Sequence, residues 1–185
     1  MADIVASTTK KRIIWTSRTS LALLGFCYST SILVKKEQAY VASLNEEQLI
    51  EYKVGKLLSG KASTGRQRFQ YFEIKKEDDG YIIKVQFNAD EYSTPDSMRK
   101  AVEIKMSEIY MIFYDDGSDV KQARVTAFFP YVDKYGDVGY SQIYDTELNR
   151  DEAQKINWNE DDAYLQTMIL PKVWRTIYMS SMLGL

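Results

Sequence analysis

The chain has 185 residues, with 24 Lys plus Arg against 26 Asp plus Glu, a single Cys and no His. Without imidazole there is no Ser-His-Asp or Cys-His nucleophilic centre and no His-bearing zinc site. One Cys makes neither an internal disulfide nor a thiolate metal cluster.

The net charge of −2 is unevenly spread. Residues 1–66 carry 10 basic and 5 acidic side chains, a balance of +5, whereas residues 67–185 carry 14 and 21, a balance of −7. The first part is drawn to anionic surfaces. The second repels phosphate backbones, so nucleic acid is not expected as its partner.

In chain order, Lys10-Lys11-Arg12 and Arg18 precede an uncharged run over residues 19–34 that holds Leu21, Leu23, Leu24, Phe26, Ile32, Leu33 and Val34, and Lys35 and Lys36 close it. A bilayer-spanning helix needs about 20 apolar residues, so a membrane segment has to run from Ile13 to Val34 with Arg18 snorkelling. Basic residues ahead of the run fit a single N-terminal anchor. The alternative is a buried segment of a soluble chain. Leu24-Gly25-Phe26-Cys27 has the outline of a lipobox. Phe26 stands where a small residue is required, so Cys27 is read as an apolar packing residue. Val41-Ala42-Ser43 offers small residues for signal cleavage, but Lys35, Lys36 and Glu37 intervene.

Asn45-Glu46-Glu47-Gln48 starts a helix, with Asn45 as cap and Leu49, Ile50, Val54, Leu57 and Leu58 as its apolar face. Its end, Gly55-Lys56-Leu57-Leu58-Ser59-Gly60-Lys61, matches seven positions of a P-loop. Ala62 replaces the magnesium-binding hydroxyl, and a helix rather than a strand leads in, so no phosphate cofactor is expected. Lys61 to Arg66 reads as a linker. The domain expectation is therefore 1–36 basic N-terminus and candidate membrane segment, 37–64 helix and linker, and 65–185 α+β domain.

Beyond the linker, Phe69 to Ile74 and the alternating Tyr81, Ile83, Val85 and Phe87 are strands about an acidic turn. Thr94 caps a long helix with Pro95 at its first position and Gly117 after its end. Lys121 to Phe129 is a strand closed by Pro130. Val138, Tyr140, Tyr144 and Leu148 share one face of the returning strand. Asn149 caps a short helix, and Asn159 caps a last one, kinked or split at Pro171, that runs on through Trp174, Ile177 and Tyr178. The order β-β-α-β-β-α-α implies a four-stranded antiparallel sheet with helices on one face.

Asp115, Asp116 and Asp119 are the candidate metal ligands, although the spacing and closing Glu of a calcium loop are absent. No dinucleotide fingerprint and no singled-out carboxylate pair supports catalysis, so no catalytic or cofactor-binding residue is assigned. Among the 14 Tyr, Tyr131, Tyr135, Tyr140 and Tyr144 cluster on one hairpin and, with Trp158 and Trp174, are the candidate interaction residues. The expected function is a non-enzymatic, membrane-anchored accessory or assembly subunit whose α+β domain binds protein partners. The alternatives are a soluble subunit of a larger cytoplasmic complex and a cation-binding or carboxylate-dependent enzyme domain.

Overall fold

The computed structural model describes residues 34–115 and 117–184. The described residues divide into two units, one ending at Asn45 and the other beginning at Glu46. In the first, residues 34–42 are helical, and Ser43 closes this helix by donating its N–H and Oγ to the Tyr40 carbonyl at 3.0 and 2.6 Å. Residues 13–33 of the candidate anchor lie outside the described residues. Among those described, no helix is long and apolar enough to cross a membrane.

The second unit begins with α1 (Glu46–Leu57), acidic in its first turn and closed by Lys56 in its last, as the helix dipole favours. Its Ile50 and Val54, with Leu58 just beyond, are buried in the core. β1 (Phe69–Glu77) and β2 (Gly80–Asn88) form the expected hairpin, with Glu77 opposite Gly80. Asn88 and Phe87 lead to α2 (Pro95–Tyr114), whose start is specified locally: Thr94 Oγ1 accepts from the Ser97 N–H, and Ser97 Oγ accepts from the Thr94 N–H. At 20 residues α2 is about 30 Å long and lays Met98, Val102, Met106, Ile109, Tyr110 and Phe113 into the core.

α2 returns the chain along the sheet, so β3 (Val120–Val132) runs parallel to β2, with Val85 opposite Val125. This corrects the all-antiparallel expectation. A helix that crosses over a sheet delivers the next strand in the same direction, whereas only a tight hairpin forces reversal. β3 also continues through Pro130, which pairs with Tyr140. Among the described residues no strand lies beyond β3 at that level, since β2 ends beside Phe128, so the missing N–H of Pro130 breaks no ladder bond. β4 (Val138–Asn149) pairs antiparallel with β3.

Asn149 caps α3 (Arg150–Ala153) as expected, its Oδ1 accepting from the Glu152 N–H at 3.0 Å. The next cap is Asp161, not Asn159: Asp161 Oδ1 accepts from Ala163 and Tyr164 at the start of α4 (Asp162–Tyr164). A π-helical turn, Leu165–Ile169, and α5 (Leu170–Val173) follow. The helix expected to reach the C-terminus ends there instead, and β5 (Arg175–Met179) pairs antiparallel with β4. The sheet is thus mixed and five-stranded, in the order β1-β2-β3-β4-β5. β-branched and aromatic side chains at Thr176, Ile177 and Tyr178 suit a strand that satisfies the free edge of β4.

One face of the sheet buries Ile83, Val85, Phe87, Ala123, Val125, Ala127, Tyr144 and Leu148 beneath the helices. Each fully buried aliphatic or Phe side chain contributes about 1.5–3 kcal/mol relative to exposure. The opposite face carries cross-strand ion pairs: Lys84 with Glu73 at 2.8 Å, Arg175 with Glu147 at 2.8 Å, and Arg124 with the fully buried Asp145.

Candidate interaction surface

β2 stays beside β3 only as far as Phe128, opposite Asn88. β5 stays beside β4 only as far as Tyr144, opposite Met179. Residues 129–132 and 138–142 therefore leave the sheet as a two-stranded arm. Register inside the arm is set by a β-bulge. Ala127 pairs with Tyr144, but the next residue, Phe128, pairs with Gln142, which leaves Ile143 as the extra residue. A one-residue insertion moves every later side chain to the other face. Tyr140 and Val138 consequently point opposite to Tyr144 and Leu148, correcting the expectation that all four share one face.

The arm ends in a turn that is held by its own groups. Asp133 Oδ1 accepts from the Tyr135 and Asp137 N–H groups at 2.8 and 2.9 Å. The Asp133 N–H donates to the Asp137 carbonyl at 2.9 Å, and Gly136 takes the left-handed φ of +91° that the turn requires. Around this turn Tyr135 is 79% exposed, Val132 68%, Val138 62% and Tyr131 45%. Val132 and Val138 are cross-strand partners, so two aliphatic side chains stand together in water. Lys134 Nζ lies 4.8 Å from the centre of the Tyr135 ring.

At the base of the arm the Arg66 guanidinium lies 3.5 Å from the centre of the Tyr140 ring, a cation–π contact. The stretch read as a linker supplies Arg66 and is tied to the domain. The Ser63 N–H donates to Asp90 Oδ1 at 2.8 Å, Ser63 Oγ accepts from the Glu91 N–H at 2.6 Å, and Arg68 pairs with Asp90 at 3.1 Å.

The remaining candidate residues point inward. Tyr144 is 3% exposed, and its hydroxyl donates to Glu103 Oε1 at 3.4 Å. Burial raises the Tyr144 phenol and, on the other side of that contact, the Glu103 carboxyl. Trp174 is buried between the rings of Tyr110 and Tyr144, at 5.6 and 6.5 Å. Trp158 is half-buried, donating Nε1–H to the Ala153 carbonyl at 3.0 Å. Burial also raises the phenols of Tyr110 and Tyr114. Both serve as protonated hydrogen-bonding groups, to Thr146 Oγ1 at 2.9 Å and to the Leu148 carbonyl at 2.6 Å.

Of the candidate metal ligands, Asp115 caps the end of α2 and Asp116 lies outside the described residues. Asp119 is bound to the Arg150 guanidinium at 2.8 Å, which places a positive charge where a cation would sit. Among the described residues no group of three or more His, Cys, Asp or Glu side chains is arranged to hold a metal.

Tyr131 and Tyr135, candidates from the sequence, lie exposed on the arm with Val132 and Val138, and Arg66 joins at its base; none of these last three is among the sequence candidates for interaction. Apolar residues immediately flanking a polar five-residue turn were the available signal for the two valines; the Arg66 contact is non-local and had none. No family model, curated protein or solved structure matches the chain.

Proposed function

We propose that this chain is a non-enzymatic accessory or assembly subunit, anchored to a membrane by residues 13–34, whose α+β domain engages a protein partner through the tip of the β3–β4 arm. The observation that carries the reading is the exposed set Tyr131, Val132, Tyr135 and Val138 on a turn already ordered by Asp133. Aromatic side chains on a preorganised support lose little conformational freedom on docking and commonly supply most of the contact energy, while the adjoining valines add apolar area that excludes water. The basic-apolar-basic pattern from Lys10 to Lys36 supports the anchor.

Two measurements on full-length protein test the two halves separately. A carbonate wash of membranes from the source cells should leave the protein in the pellet, and its complete release refutes the anchor. Replacing Val132 and Val138 together by Asp should reduce the mass of the native complex to that of the free subunit while leaving the melting temperature within a few degrees. An unchanged complex refutes the arm as the docking element.

A further inference from the structure

At the end of β3 and β4 opposite the arm lies a cleft of about 340 Å³, lined by Tyr114, Ser118, Asp119, Arg150, Gln154 and Trp158 among others. We propose that this cleft binds a neutral saccharide ring, a role that does not depend on the arm or the anchor. Its volume falls in the range of about 300–1,000 Å³ typical of small-ligand sites.

The fixed point of the cleft is Arg150. Its Nη2 donates to Asp119 Oδ1 at 2.8 Å and to the Asp119 carbonyl at 3.3 Å, and its Nε donates to the Val120 carbonyl at 3.3 Å. The guanidinium lies so close over Gly80 that a β-carbon there would stand 2.1 Å from Nη2. Glycine at position 80 thus makes room for a side chain that joins the starts of β2, β3 and α3. Trp158 and Tyr114 form an aromatic wall, with ring centres 6.2 Å apart and planes 18° from parallel. Both rings have already committed their polar atoms, Trp158 Nε1 to Ala153 and Tyr114 Oη to Leu148, so what they offer the cleft is carbon surface. The Gln154 amide and Ser118 hydroxyl line the cleft with no side-chain hydrogen bond among the described residues.

That combination selects a ligand class. The Arg150–Asp119 pair is neutral as a unit, so neither an anion nor a cation gains an uncompensated partner. A pyranose ring has a carbon–hydrogen face that lies on an aromatic surface and a rim of hydroxyls that both donate and accept. Gln154 supplies a donor and an acceptor, Ser118 a hydroxyl, and the outer atoms of Arg150 and Asp119 further donors and acceptors. A purely apolar ligand would bury these groups without hydrogen-bond partners and so be disfavoured.

The test titrates full-length protein with glucose, N-acetylglucosamine, maltose and chitobiose, with glucose 6-phosphate as a charged control. Binding is read by saturation-transfer NMR on the sugar protons and by Trp fluorescence. At least one neutral sugar should bind with Kd of about 1 mM, transferring saturation most strongly to the protons of one ring face. Trp158→Ala should abolish that signal, and Gln154→Ala, at an exposed position whose side chain makes no hydrogen bond among the described residues, should weaken it about threefold to tenfold. The proposal is overturned if no neutral sugar gives a signal up to about 20 mM. It is equally overturned if the signal survives both substitutions, or if glucose 6-phosphate binds as well as the neutral sugars.

Discussion

The ring of Tyr131 lies across Gly139 on the neighbouring strand, so close that a β-carbon at position 139 would stand 2.5 Å from its Cζ. The two residues are cross-strand partners in the arm. Glycine weakens a strand because it offers no side chain to pack, and a cross-strand aromatic ring covering its backbone compensates. Gly139→Ala should push the ring off, cost about 1 kcal/mol of stability, and speed chemical nitration of Tyr131. A variant with unchanged melting and unchanged nitration contradicts this contact.

The Arg124–Asp145 pair on the open sheet face should respond asymmetrically. Arg124 Nε donates to both carboxylate oxygens at 3.0 and 3.2 Å and Thr126 Oγ1 donates to Oδ1 at 3.1 Å, while the Asp145 side chain is 0% exposed and that of Arg124 44%. Arg124→Met leaves a buried carboxylate without its cation and should cost about 3–5 kcal/mol. Asp145→Asn lets Arg124 swing into water and should cost only about 1–2 kcal/mol. Urea titration of both variants checks the order, and a larger loss for Asp145→Asn contradicts it.

Glu103 gives a pH dependence with a definite sign. Burial raises its carboxyl above the ordinary value of 4.5, against the opposing pull of Arg99 and the Tyr144 hydroxyl. The folded chain therefore holds this proton more tightly than the unfolded chain. The site's contribution to stability is greatest below 4.5 and falls as pH rises through the raised folded-state value. Glu103→Gln should melt higher than the wild type at neutral pH, with the difference shrinking as the solution is acidified past that window. A lower melting point for the variant at neutral pH is the contrary result.

The domain should tolerate cutting at its true edge and not within it. A chain starting at Glu46, where the second compact unit begins, should melt cooperatively. One starting at Gly65 loses Ile50, Val54 and Leu58 from the core and should not. Leu58→Ala alone should cost about 2–5 kcal/mol, measured by calorimetry. Equal melting of the two truncations contradicts the placement of α1.

What was legible in the sequence was local. The β1–β2 hairpin followed from the alternation of Tyr81, Ile83, Val85 and Phe87 about an acidic turn. The start of α2 followed from Thr94 and Pro95. β5 was hidden because Val173, Trp174, Ile177 and Tyr178 fit a helical face as well as a strand, and only the open edge of β4 decides between them. Parallel pairing of β2 with β3 depends on where α2 returns the chain, and the bulge at Ile143 is a matter of register; neither leaves a pattern in composition. The bulge separates Tyr144, which belongs to the core, from Tyr140 on the arm. Likewise Trp158 and Trp174 carry the residue type of an interface anchor, but Tyr110, Tyr114 and Tyr144 draw them inward.

The docking role of the arm is tested most directly by site-specific photocrosslinking of full-length protein in its native cells. The probe replaces Tyr135 or Val138 in turn, with the exposed Lys172 of α5 as the control position. Both tip positions should give the same discrete heteromeric adduct, and position 172 none. Absence of an adduct at the tip, or one equally strong from position 172, contradicts the docking role.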